Sequence, residues 1–66
     1  MSIEVNGTAI ELASGTTLLE LIESRAGTAR GSAVVVDGTV VPRSDWPDYR
    51  VVDGQRIELI TAVQGG

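Results

Sequence analysis

Three dipeptides in which Asn or Asp precedes Gly, namely Asn6-Gly7, Asp37-Gly38 and Asp53-Gly54, cut this chain into short apolar stretches. Such residues accept positive φ, so at each the chain can reverse direction within two residues. Around the first, Ile3 and Val5 alternate with Glu4, and Ile10 and Leu12 alternate with Glu11. That is the period of a strand with one buried face, and a β-hairpin is expected to open the chain. Ahead of the second lies the β-branched run Ala33-Val34-Val35-Val36, and the strand signal continues through Val40 and Val41 until Pro42 halts it. Val51 and Val52 lead to the third, after which Ile57 and Leu59 alternate with Glu58 in a last strand that begins near Arg56.

Between the opening hairpin and the valine run the period changes. Thr17 and Glu20 stand three apart, the spacing of a capping box in which each side chain satisfies a backbone N–H left free by the first helical turn. A helix of at most three turns is expected from Leu18, with Leu18, Leu21, Ile22 and Ala26 on one face and Gly27 as a left-handed C-cap. Thr28 to Ser32 reads as a connector. Arg43 to Tyr49, with Pro42 just before it and Pro47 within it, reads as irregular with a short helical turn, Trp46 as a plug at the sheet end and Arg43 as a solvated side chain. The order is ββαββ: a single α+β domain over residues 1–66, a mixed sheet of four to five strands with one helix packed across one face. The last strand is expected beside the first, parallel to it and central.

Composition removes most chemistries. The chain has no Cys and no His, which excludes disulfides, thiolate nucleophiles, imidazole bases and the usual zinc ligands. No base stands ready to activate a serine or threonine, and no glycine loop with a phosphate-binding lysine precedes a helix. Asn6, Asp37 and Asp53 read as turn formers, and Thr17 with Glu20 as a helix cap. A 66-residue domain buries only about 60% of its unfolded surface, which leaves little room for an enclosed substrate pocket. A net charge of −4 without a basic cluster argues against nucleic acid and for a basic protein partner. All five basic residues are arginine. Met1-Ser2-Ile3-Glu4 lacks the basic start of a signal peptide and no stretch reaches membrane-spanning length, so the cytoplasm is the expected compartment.

What remains is the end of the chain. If Ile57 and Leu59 point to the core, Glu58, Ile60 and Ala62 face the open side of the sheet, where Ile60 and Ala62 are candidate docking residues. Residues 62–66 read as a flexible tail, and five extended residues span about 16 to 18 Å. After Gln64 its last two residues, Gly65 and Gly66, have no side chain beyond hydrogen. With 8 glycines in 66 residues, a terminal pair arises by chance about once in a hundred chains. Glycine lets a narrow channel close around backbone, and the Gly66 carboxylate is ionised at neutral pH. Attack by that carboxylate on the α-phosphate of ATP would expel pyrophosphate and make an acyl adenylate, from which sulfur or an amine could then displace AMP. An enzyme's cations and metal must stabilise both steps.

The ββαββ order, the segment Val40-Val41-Pro42-Arg43-Ser44-Asp45-Trp46, Asp53-Gly54 before the last strand and the final Gly65-Gly66 resemble the thiamin-biosynthesis sulfur carrier proteins of the ubiquitin-like β-grasp group. The likeness covers essentially the whole chain, and Val-Pro-Arg-x-x-Trp is its more specific part. It implies a protein co-substrate rather than an enzyme, binding no cofactor or metal itself and monomeric when free. A ubiquitin-activating-like partner, using ATP and magnesium, would adenylate Gly66 while Gln64 and Gly65 thread into its site. A sulfur donor system would convert Gly66 to a thiocarboxylate, and thiazole synthase would take the sulfur to build the thiazole ring. The small subunit of molybdopterin synthase, a ubiquitin-like modifier of lysines and a plain β-grasp interaction module are the competing readings. The first of these usually runs longer and has prolines before the tail, where this chain has Thr61-Ala62-Val63-Gln64.

Overall fold

A computed structural model describes residues 1–26 and 31–61. Strands β1 (Ser2–Val5) and β2 (Thr8–Glu11) form the opening hairpin, and Asn6 and Gly7 both take positive φ, 49° and 84°. Helix α1 (Leu18–Ala26) follows. Strands β3 (Ser32–Val36) and β4 (Thr39–Val41) make a second hairpin, with Asp37 and Gly38 at φ 48° and 86°. A 3₁₀ turn at Arg43–Asp45 precedes strand β5 (Arg56–Thr61). The expected order is kept, and the stretch between helix and Pro42 folds on itself at Asp37-Gly38, bringing the sheet to five strands.

The sheet order is β2-β1-β5-β3-β4. The last strand lies in the centre, parallel to the first with Glu4 opposite Arg56 and Val5 opposite Ile57, and antiparallel to β3. The inward face of the sheet, α1 and the segment after β4 together form the buried core, Ile3, Val5, Leu18, Leu21, Ile22, Val34, Val36, Val41, Trp46, Val51 and Ile57, with Leu59 partly buried against it. The expected helix face is therefore buried at Leu18, Leu21 and Ile22; the Ala26 side chain and the Gly27 cap lie outside the described residues.

The N-terminus of α1 is capped from within and by the irregular segment. The Thr17 N–H donates to Glu20 Oε1 at 2.9 Å and the Glu20 N–H donates to Thr17 Oγ1 at 3.2 Å, a complete capping box. The N–H groups of Leu18 and Leu19 donate to the carbonyls of Tyr49 and Trp46 at 2.9 and 3.3 Å. The irregular segment thus serves as a second cap, holding N–H groups that the helix cannot bond itself. Trp46 at its centre is 1% exposed, and its indole Nε1–H donates to the Val41 carbonyl at 2.9 Å. It plugs the core, as expected, while Arg43 is exposed.

The Glu20 carboxyl is held below its usual range, first by the backbone hydrogen bond from Thr17 and then by the Thr17 hydroxyl. A carboxyl whose folded pKa is depressed contributes stability that is complete above its ordinary range and fades as pH falls through the lower folded value. Glu20→Gln keeps an oxygen for the Thr17 N–H but cannot titrate. Acid titrations followed by circular dichroism should show a shallower loss of stability below the glutamate range than in the parent, with the two curves close at neutral pH.

Candidate functional site

Strand β5 is gripped from both sides by turn residues. On one side the Arg56 N–H donates to Asp37 Oδ1 at 2.9 Å, while the Asp37 N–H donates to the Arg56 carbonyl at 2.8 Å. On the other, the parallel ladder with β1 runs only as far as Ile57, whose carbonyl accepts the Asn6 N–H at 2.9 Å. There β1 has already ended and the chain is turning through Asn6. The Asn6 carboxamide continues where the strand stops: the Leu59 N–H donates to its Oδ1 at 2.9 Å, and its Nδ2–H donates to the Leu59 carbonyl at 3.2 Å. Asp53 plays a related part at the opposite end of β1, its Oδ1 accepting the Ser2 N–H at 2.7 Å. The three Asx-Gly turns therefore bind neighbouring backbone as well as reverse the chain.

The open face of the sheet divides in two. Ile60, 54% exposed, stands opposite Ala33 in the register, and Val40, 67% exposed, stands opposite half-buried Val35. These four make an apolar strip over β4, β3 and the outer part of β5, because strand alternation sends Val34, Val36, Val41, Ile57 and Leu59 the other way. Beside the strip, Glu58 and Glu4 flank Arg56, which pairs with Glu4 at 3.3 Å in an exposed ion pair of little energetic weight. Shallow open depressions on this face are lined by Glu4, Arg56, Glu58 and Ile60. Their charged, open walls suit a protein surface better than an enclosed small molecule. Among the described residues no cluster of three or more acids could hold a metal ion. No helix among them is long and apolar enough to cross a membrane.

Of the residues singled out in the sequence, Ile60 lies on the open face as expected. Ala62, Gln64, Gly65 and Gly66 lie outside the described residues. Val35 and Val40 belong to the same apolar strip and were not anticipated. The signal was present: a two-residue turn at Asp37-Gly38 fixes Val35 opposite Val40, and alternation then sets both on the face of Ile60.

A family model for the ThiS family matches residues 3–66. The sulfur carrier protein ThiS of Escherichia coli (strain K12) is 35% identical over 66 residues, with 100% of each chain covered. The crystal structure of the thiamine biosynthesis protein (ThiS) from Geobacter metallireducens matches with a TM-score of 0.83 at 26% identity, covering 100% of both chains. The solution structure of a thiamine biosynthesis protein from the same organism gives a TM-score of 0.77 at 27% identity over 100% of this chain and 88% of that one. Sequence along the whole length and the path of the strands in space agree, and the chain belongs to the ThiS family.

Proposed function

We propose that this chain is a sulfur carrier of thiamine biosynthesis, a protein co-substrate acted on by partner enzymes in the cytoplasm. The observation that carries the reading is the end-to-end likeness to the Escherichia coli sulfur carrier protein ThiS. The chemistry available to the chain supports it, since the sequence contains neither Cys nor His and ends in Gly65-Gly66. The Gly66 carboxylate attacks the α-phosphate of ATP in a partner of the ubiquitin-activating kind, expelling pyrophosphate. A donor's sulfur then displaces AMP from the acyl adenylate to leave a thiocarboxylate, and thiazole synthase takes that sulfur. ATP and magnesium belong to the partner.

Intact-mass measurement tests this directly. Protein incubated with an activating enzyme, ATP and a sulfur donor should gain the mass difference of one oxygen replaced by one sulfur. An unchanged mass under those conditions would sink the reading, and high-mass conjugates on other proteins would make the chain a modifier instead. A sulfur-loaded chain that feeds molybdopterin synthesis and not thiazole formation would place it in the neighbouring pathway.

The apolar strip around Ile60 is the docking surface in this reading, and Ala62 is proposed as a further docking residue. Ile60→Asp puts a charge among Ala33, Val35 and Val40 without touching the buried core. The melting temperature should shift by only a few degrees, since exposed substitutions stay within about 0.5 kcal/mol. Affinity for the activating enzyme, measured by calorimetry, should fall about tenfold or more, the size of effect seen at an interface anchor.

A further inference from the structure

We propose that Asn6 is a positioning residue for the reaction at the chain's carboxyl end: its carboxamide takes the place of a strand residue beside Leu59 and sets the line along which β5 leaves the sheet. The inference rests on the carrier reading above and concerns a turn residue that reading leaves without a role.

Alternation along a strand sends the backbone groups of successive residues to opposite neighbours. The Leu59 N–H and C=O face the β1 side, where no strand residue remains, because β1 ends at Val5 and its ladder with β5 at Ile57. Without Asn6 the outer part of β5 would be held from the β3 side alone, through Ala33 opposite Ile60 and Ser32 opposite Thr61. The carboxamide presents one acceptor and one donor, the same pair that a peptide group offers, and engages both Leu59 groups at 2.9 and 3.2 Å. Asn6 can do this because its φ of 49° turns the chain away there and aims the side chain back along β5. A carboxylate would accept from the Leu59 N–H but would set its second oxygen against the Leu59 carbonyl.

The position of this contact gives it leverage. Seven residues from Ile60 to Gly66 can reach about 23 to 25 Å when extended. With the tail drawn straight in a partner's narrow channel, a swing of about 10° at Leu59 would move the terminal carboxylate about 4 Å, against the roughly 1 Å that matters for reacting atoms. Ala33, Val35 and Val40 of the docking strip lie on β3 and β4 and do not move with such a swing, and Ile60, one residue past Leu59, moves by only about 0.6 Å. Loss of the Asn6 contact should therefore lower the fraction of bound complexes with the carboxylate in place, a loss in kcat rather than a rise in KM.

Asn6→Gly keeps the positive φ and deletes the carboxamide, whereas Asn6→Asp keeps the side-chain length and one of the two hydrogen bonds. Both are compared with the parent at a temperature where circular dichroism shows all three folded. Amide exchange at Leu59 should quicken about tenfold in Asn6→Gly and by less in Asn6→Asp, whose carboxylate still accepts from the Leu59 N–H, while that of Val34 on the far side stays unchanged in both. In Gly66 activation with enzyme and ATP, kcat should fall about tenfold with KM within about twofold of the parent. Unchanged exchange at Leu59 would remove the clamp, and faster exchange with kcat unchanged, or a loss carried wholly by KM, would overturn the positioning role. Failure of the parent chain to be activated is a separate result that sinks the carrier reading and this inference with it.

Discussion

A chain lacking Gly65 and Gly66 should melt as the full chain does and yet give no detectable activation. The described core runs from Ile3 to Ile57, and the contacts that hold β5 reach it at Arg56, Ile57 and Leu59, all upstream of the deletion. Glycine brings no apolar side chain, so the loss in stability should lie within about 0.5 kcal/mol, the usual range for changes away from packed groups. Activation should fall to background because the truncated chain ends at Gln64, two residues short. At about 3.3 to 3.6 Å per residue that withdraws the carboxylate by roughly 7 Å and puts a side chain where a narrow channel closes on backbone. Exchange of labelled pyrophosphate into ATP by the activating enzyme measures the chemistry, and a thermal melt measures the fold. A marked fall in melting temperature would show that the last two residues are structural, and retained exchange would show that the reactive group lies elsewhere.

The largest expected effect on stability is at Trp46. Burying a tryptophan removes about 150 to 250 Å² from water, which at about 25 cal/mol per Å² amounts to roughly 4 to 6 kcal/mol. Its hydrogen bond to the Val41 carbonyl contributes about 1 kcal/mol net. Burial therefore dominates, and the two can be separated. Trp46→Ala should cost about 3 to 5 kcal/mol, against a total that for a chain of this length is about 3 to 10 kcal/mol. The variant should be partly or wholly unfolded at room temperature by far-ultraviolet circular dichroism. Trp46→Phe keeps much of the apolar volume and leaves the Val41 carbonyl without its donor, and should lose about 1 to 3 kcal/mol while staying folded. Equal losses in the two would mean that the hydrogen bond, not the buried ring, holds the segment. The same residue aligns the Trp46 and Tyr49 carbonyls under Leu19 and Leu18, so Trp46→Ala should also increase amide exchange in the first turn of α1.

Much of the fold was legible because its signals are local. Asn6-Gly7 and Asp37-Gly38 demand positive φ at consecutive residues, which few sequences other than a tight hairpin use, and both hairpins form there. Thr17 and Glu20 mark the start of α1 by chemistry confined to one turn. The alternation in β5 correctly separates Ile57, at 1% exposure, from Ile60, at 54%. The candidate site was legible only in part. Ile60 could be assigned a face from alternation, whereas the strip it shares with Val35 and Val40 depends on how β5, β3 and β4 are placed side by side.

The sequence by itself determined where the chain turns, where the helix begins, which residues of each strand share a face, and that any reactive group must be other than a thiol or an imidazole. Those properties follow from φ preference, hydrogen bonding within one turn, the two-residue period of a strand and composition, none of which requires a distant partner. Only the tertiary structure decided that Asn6 and Asp37 clamp β5 at Leu59 and Arg56, separated from them by 53 and 19 residues. It also decided that the irregular segment caps the helix through the Tyr49 and Trp46 carbonyls. Such contacts are set by the order in which strands are laid beside one another. The parallel pairing of β1 with β5 is a long-range choice driven by burial of a shared core, and it brings a turn residue near one end of the chain against the backbone near the other.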